Sequence, residues 1–201
     1  LTGVKLHLCR ISCAESLTLI KNAQSQGIEV TSDVAAHQLF FDESVINDFN
    51  SEYHVIPPFR TNEDLISLRE AISSDHISAI CSDHQPHNED ARQAPFSSTL
   101  PGISSIEILL PLIMDLVDIG VIDMQKAIEK VTRNPALLLN IDKGVIKKGF
   151  TADLCVFKRE EWILEKNNIQ SAGHNNPFIG KKFSTKVKKT IRKGRVVYEN
   201  K

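Results

Sequence analysis

This 201-residue sequence has little of several things. It lacks charge imbalance: 24 basic against 25 acidic residues leave a net charge of -1, which gives no reason to expect nucleic acid or a membrane surface as partner. It lacks an apolar run near the roughly 20 residues that span a bilayer. The longest, Ile106 to Val117, is broken by Glu107, Pro111 and Asp115 and reads as a core helix. It lacks an initiating Met and a charged-then-apolar leader, since it opens Leu1-Thr2-Gly3-Val4, so a longer protein that starts upstream is expected. It has only four cysteines. Cys9 and Cys13 have no second pair to complete a zinc site, and three of the four sit in or beside apolar strand-like runs. Reduced, buried thiols in a cytoplasmic protein are the expectation.

What is present is an alternation of strand and helix. Val4 to Cys9 reads as a strand. Ser12-Cys13-Ala14-Glu15 has the form of a capping box for a helix bearing Leu17, Ile20 and Ala23, with Gly27 as its stop. Ile28 to Val34 is a second strand, ending near His37. Thr61 caps a helix carrying Leu65, Leu68, Ala71 and Ile72, and the apolar run Ile77 to Cys81 follows as a third strand. Ile103 to Asp118 reads as one long helix and Asp123 to Thr132 as another. Such alternation predicts parallel strands with crossover helices. Only three or four units are visible where a closed barrel needs eight, so the sheet should need further chain, or another chain, at its open edge.

After about Asn140 the pattern turns β-like: Ala152 to Phe157, Trp162 to Leu164, and Lys186 to Tyr198 with a hairpin turn at Gly194. The basic residues of the last stretch alternate with Val187, Thr190, Ile191, Val196 and Val197, which marks a solvated strand face rather than a nucleic-acid groove. The expected division is a partial barrel over 1–140 and a β-subdomain segment over 141–201.

The chemistry concentrates at strand ends. Ser82-Asp83-His84-Gln85-Pro86-His87 follows a buried strand, and α/β barrels carry their reacting groups at the C-terminal ends of their strands. Asp and Pro are also ordinary turn residues, so this stretch alone would be as readily a turn as a site. Arg10 and His37 at two other strand ends favour a site. His7 reads as a packed strand residue and His76 as a surface one, while His54 could reach the site.

Together these pieces resemble the dihydroorotases of the larger, amidohydrolase-superfamily class. The resemblance rests on Leu6-His7-Leu8-Cys9-Arg10-Ile11-Ser12, on Val30 through Leu39, and on Val55-Ile56-Pro57-Pro58-Phe59-Arg60. It continues through Ser82 to His87, Pro101-Gly102-Ile103 with Ile106-Glu107, and Thr132 to Ala136. In the tail it rests on Gly144 to Gly149, Ala152 to Leu154, Asn176-Pro177-Phe178 and Gly194 to Tyr198. It implies an α/β fold, the C-terminal part of a (β/α)8 TIM-type barrel with part of a small flanking β-subdomain. The family's opening His-x-His metal pair and its mid-barrel Lys or Asp ligand are absent from these residues.

The resemblance further implies a hydrolase of pyrimidine biosynthesis that interconverts dihydroorotate and carbamoyl aspartate, with zinc activating the attacking water. Asp83 would bind metal and shuttle the proton, His37 would ligate metal, His87 would contact substrate, and the Pro101-Gly102 loop would offer its backbone to substrate. His84 would support the site structurally, and Asn176-Pro177-Phe178 would lock the subdomain onto the barrel. The sequence departs from the family at three places. Arg10 replaces a ligand His, and a guanidinium, always protonated and donor-only, cannot ligate. Ala36-His37-Gln38 keeps the first imidazole of Pro-His-His and loses the second. Ile56 replaces an Asn that holds substrate. Arg10 is expected to project into the cavity, pair with Asp83 and favour its charged form, and it is counted with His87, Pro101 and Gly102 among the substrate-binding residues. At most one zinc ion, none in this chain alone, and poor or absent turnover are therefore expected. The alternative is a non-catalytic scaffold that assembles with aspartate carbamoyltransferase. A homo-oligomer is expected in either case. Hydantoinase-like or allantoinase-like activity is a weaker third reading, because Pro57-Pro58-Phe59-Arg60 fits dihydroorotases better.

Overall fold

In a computed structural model, residues 3–200 are described; Leu1 and Thr2, on which the reading of the chain's start rests, lie outside them. Three short parallel strands, β1 (Leu6–Leu8), β2 (Val30–Ala35) and β3 (Ala79–Cys81), form one sheet in the order β1-β2-β3. A parallel bridge between His84 and Ile103 continues it by a single residue pair, so the fourth unit is reduced to a stub. Helices α1 (Ala14–Ser25) and α2 (Asn62–Ser73) are the crossovers. Three more helices follow: α3 (Leu109–Asp118), α4 (Met124–Val131) and α5 (Arg133–Leu138). None of the described helices is long and apolar enough to cross a membrane.

The sheet has two unlike faces, because successive strand side chains point to opposite sides. Val30, Val34 and Ile80 enter a core with Leu17, Ile20, Leu68, Ile72, Leu112 and Met114. Burying each such side chain contributes roughly 1.5–3 kcal/mol. The other face carries His7, Thr31, Asp33 and Cys81, linked by hydrogen bonds. A polar inner face and an apolar outer one are what a barrel wall needs when its chemistry lies inside.

Three local expectations are corrected. Ser12 is not the cap of α1: Cys13 holds that position without a side-chain cap, and the Ala14 amide is taken instead by Asp64 Oδ1 at 2.7 Å. Asp64 also completes the capping box of α2 with Thr61, so one carboxylate serves two helix starts. The helix expected from Ile103 begins only at Leu109, after a 3₁₀ turn over Ile106–Ile108. Pro111 falls in its first turn, where the missing N–H costs nothing. The thiols are free but not buried: Cys9 and Cys155 are exposed and Cys13 and Cys81 half-buried. Cys9 lies just past β1, a sheet-edge strand among the described residues, where nothing covers it.

The C-terminal strands make a second, antiparallel sheet of β4 (Leu154–Ile163), β5 (Lys182–Arg192) and β6 (Arg195–Glu199). β4 joins two expected pieces through irregularities in register at Val156/Phe157 and Arg159/Trp162. Lys193 and Gly194 both have positive φ, 49° and 77°, as a type I′ hairpin turn requires. Phe183, Leu164, Ile169 and Phe178 place this sheet and its connections in the same core as the barrel helices. Several of its lysines pair with acidic neighbours, among them Lys182 with Glu161 at 2.6 Å and Lys189 with Glu199 at 2.8 Å.

Candidate active site

Two residues at the ends of β1 and β3, Arg10 and Asp83, have left-handed backbones, with φ of 58° and 47°. Neither is glycine, and such a conformation costs about 1–2 kcal/mol for an L residue. Local bonds hold both. Asp33 Oδ1 accepts from the Arg10 backbone N–H at 2.8 Å, and the Gln85 amide donates to Asp83 Oδ1 at 3.1 Å. The turns aim the two side chains at one another: Arg10 Nη1 lies 3.4 Å from Asp83 Oδ1 and equally 3.4 Å from the Ile56 carbonyl oxygen. Both protein bonds to Asp83 fall on Oδ1; among the described residues none falls on Oδ2. Ile56 is 59 % exposed, and its side chain offers the Arg10–Asp83 pair no polar atom.

His37 follows β2 on a 3₁₀ turn and is 1 % exposed. Its ring packs edge-on against Phe59, with centroids 5.7 Å apart. Burial pushes its pKa down to about 4, although the Asp83 charge pulls the other way, so the ring is neutral at ordinary pH. Neutral imidazole is the form that ligates metal. Its Nδ1 is buried without any hydrogen-bond partner, an uncommon condition for a polar atom in a packed interior. An unpartnered imidazole nitrogen near a carboxylate with one uncommitted oxygen fits a single metal ion held by His37 and Asp83. Gln38 cannot add a ligand from this position: its amide donates to the Pro57 carbonyl at 2.8 Å and fastens the Pro57-Pro58 segment.

The Asp83 to His87 segment is braced on two sides. His84 Nδ1 accepts from the backbone N–H groups of Ser105 and Ile106, at 3.0 and 3.2 Å. Its Nε2–H therefore points to Ser171 Oγ, 3.3 Å away, and the Ser171 hydroxyl donates to Glu107 Oε1 at 2.6 Å. Burial works to raise the Glu107 pKa, but the Ser171 hydroxyl and backbone amides outweigh it and hold the carboxyl below its ordinary range. The His87 ring nitrogen Nε2 meets the Pro101 carbonyl at 3.0 Å, so the structure brings His87 and the Pro101-Gly102 loop together. Gly102 has φ of 137°, and a Cβ there would press into Gln85.

Sequence reasoning missed two organising residues. Asn175 is buried and spans three segments: its Oδ1 accepts from the His87 amide at 2.7 Å, and its Nδ2 donates to the Gln85 and Gly102 carbonyls, each at 2.9 Å. Asp33 fixes the Arg10 main chain and takes bonds from His7 and Cys81. Asn175 stands beside the Asn176-Pro177-Phe178 turn that the sequence does mark, but no local pattern separates it from its neighbours. Asn176 behaves as expected of that turn: it donates to the Ser104 carbonyl at 2.8 Å and caps Phe178, which packs on Phe40 and Phe41. His54 bonds Thr99 at 2.7 Å and receives the Gly102 amide on its carbonyl, bracing that loop. His76 is paired with Gln24, away from these groups.

Comparisons agree with this architecture. The chain is 38 % identical over 198 residues to a dihydroorotase-like protein of Pseudomonas aeruginosa and 41 % over 197 residues to one of Pseudomonas putida. It is 34 % identical over 199 residues to a dihydroorotase of Syntrophus aciditrophicus. Each match covers 98 % of this chain, and the chain spans about half the length of these relatives, 46–47 %. Among solved structures, dihydropyrimidinase from Brevibacillus agri superposes with a TM-score of 0.92 at 22 % identity, over 98 % of this chain and 45 % of that one. A D-hydantoinase superposes with a TM-score of 0.90. The fold is therefore part of the same α/β barrel with its flanking β-structure. Residues 2–197 match the Amidohydrolase family, and the chain belongs to it.

Proposed function

We propose that this chain supplies part of the active site of a dihydroorotase-like cyclic amidohydrolase whose metal centre at His37 and Asp83 is reduced to one zinc ion at most, with poor or absent turnover of dihydroorotate. The observation that carries this reading is the Arg10–Asp83 pair at 3.4 Å beside the buried, unpartnered Nδ1 of His37. Where the dihydroorotase motif supplies a ligand, this chain supplies a fixed positive charge that cannot ligate. A zinc ion bound there would bring the pKa of its water near 7 and make hydroxide available at neutral pH.

The chain's own groups would do the rest. Asp83 Oδ1 is held by Arg10 and Gln85, which fixes the carboxylate plane and leaves the two lone pairs of Oδ2, one to ligate metal and one to take a proton from the attacking water and return it to the leaving nitrogen. Arg10 keeps further N–H donors for a substrate carboxylate, the feature shared by dihydroorotate and carbamoyl aspartate. His87, anchored by Asn175, and the Pro101-Gly102 backbone would close one side of the substrate. Ile56 would leave a polar substrate edge unpaired, which disfavours tight binding.

The second reading is a scaffold that has kept the fold and lost the reaction, with aspartate carbamoyltransferase as its partner. What supports it is the replacement of a ligand by Arg10 and of a polar substrate contact by Ile56. Metal analysis and a dihydroorotate turnover assay on the protein decide between ordinary and reduced activity. The expected result is at most one zinc that His37→Ala removes, with turnover far below that of an intact dihydroorotase. Arg10→His should raise the metal content. Two zinc ions lost together in His37→Ala, with ordinary activity, would overturn the proposal.

A further inference from the structure

On the polar face of the parallel sheet, ligand atoms of His7, Cys9 and Asp33 lie within 4.8 Å of one another. His7 is hydrogen-bonded at both ring nitrogens: Nδ1 to Thr31 Oγ1 at 2.8 Å and Nε2 to Asp33 Oδ2 at 2.9 Å. The Thr31 hydroxyl can give its one proton to the Leu6 carbonyl at 3.3 Å or to His7 Nδ1, and the ring tautomer follows that choice. With the proton on Leu6, His7 donates from Nδ1 and presents the Nε2 lone pair to Asp33 Oδ2, two acceptors that only a cation or a second ring proton can join.

We propose that His7, Cys9 and Asp33 form a three-ligand site for a thiophilic divalent cation of the zinc class, separate from the His37–Asp83 pair. The donor set is imidazole nitrogen, thiolate sulfur and carboxylate oxygen, all ordinary zinc ligands, and three protein ligands leave a fourth position open. The surrounding bonds hold the donors in place. Thr31 Oγ1 stands ready to accept from Nδ1–H when a metal takes Nε2, as hydrogen-bond partners of metal-binding histidines do. The Arg10 N–H at 2.8 Å and Cys81 Sγ at 3.4 Å both occupy Asp33 Oδ1, which turns Oδ2 toward His7. Binding exchanges the Cys9 S–H bond for a sulfur–metal bond and sends that proton to solvent; thiolate and carboxylate together neutralise the divalent charge.

The test is a cobalt(II) titration of the full chain read by absorbance. One equivalent should produce a near-ultraviolet thiolate-to-cobalt charge-transfer band, which zinc then bleaches by displacement. Cys9 is exposed, so Cys9→Ser should keep the fold, checked by circular dichroism, and abolish the band. Thr31→Val should keep the band and weaken cobalt binding about 10–100-fold. His37→Ala should leave the band intact, because the His37–Asp83 site has no sulfur; a failure of that site is thus read separately. Absence of the band, or a band that survives Cys9→Ser, overturns the proposal. So does a His7 ring that shows an Nε2–H proton by NMR with zinc in excess.

Discussion

Replacing Gly102 by alanine tests whether the Pro101-Gly102 loop and the Asp83 to His87 segment are packed as tightly as the structure shows. Two costs add. The φ of 137° is one that L side chains rarely adopt, worth about 1–3 kcal/mol. The new Cβ would also crowd the Gln85 side chain and lie 3.1 Å from its backbone oxygen, and overpacking of this kind costs about 1–3 kcal/mol. A total near 4 kcal/mol is expected, a large share of the roughly 5–15 kcal/mol typical of a domain. Gly120→Ala is the control: its φ of 75° carries a comparable backbone penalty, but nothing lies within 4 Å of its Cβ. That variant should lose only about 1–2 kcal/mol. Urea unfolding of both variants, with slopes compared to the parent, measures the gap directly. Equal midpoints for the two variants would refute the close approach of the loops, whatever the absolute losses.

The buried ring of His37 should make stability fall at acid pH. Its folded pKa, near 4, lies below the ordinary 6.5, so only the unfolded chain takes up the proton between these values. Stability is full above about 6.5 and declines toward 4, by at most roughly 3 kcal/mol, and His37→Gln should flatten that slope in urea melts run across pH. Asn175→Ala strips partners from one buried amide and two carbonyls, and a cost of about 2–4 kcal/mol with faster hydrogen exchange at the His87 amide is expected; unchanged protection of that amide would count against the bracing role. Thr61→Ala should lose about 1–2 kcal/mol, while Ser12→Ala should stay within about 0.5 kcal/mol, since Asp64 and not Ser12 serves the start of α1. Thermal melts that rank the two the other way would show the caps misassigned.

Features set by neighbours in sequence were more legible than those set by distant partners, though not uniformly. Thr61 was read as a cap but its box with Asp64 was not, and the equally local Ser12 to Glu15 box failed because Asp64 reaches Ala14 across 50 positions, which no local pattern announces. The strand-end placement of Arg10, His37 and Asp83 followed from apolar runs that stop at polar residues. The pairing of Arg10 with Asp83 was expected from charge and position, yet it depends on two left-handed turns, of which Asp tolerates one and nothing about an Arg announces the other. The tie from Asn175 to His87 spans 88 positions, and its Asn looks like any loop residue until both loops are in place. The thiols were misread because an apolar flank in sequence does not guarantee a covering layer in space.

Asn175 has a consequence for how this architecture can change. It reacts with nothing, yet three of its bonds stitch the tail to both loops beside Asp83. A cut or deletion that removed Asn175 would leave every candidate ligand in the chain and still let the loops beside Asp83 come apart. The connection between β4 and β5 is thus a clasp on the chemistry rather than an ornament beside it, and a lineage that gave up the reaction would still have to keep the clasp to keep the shape.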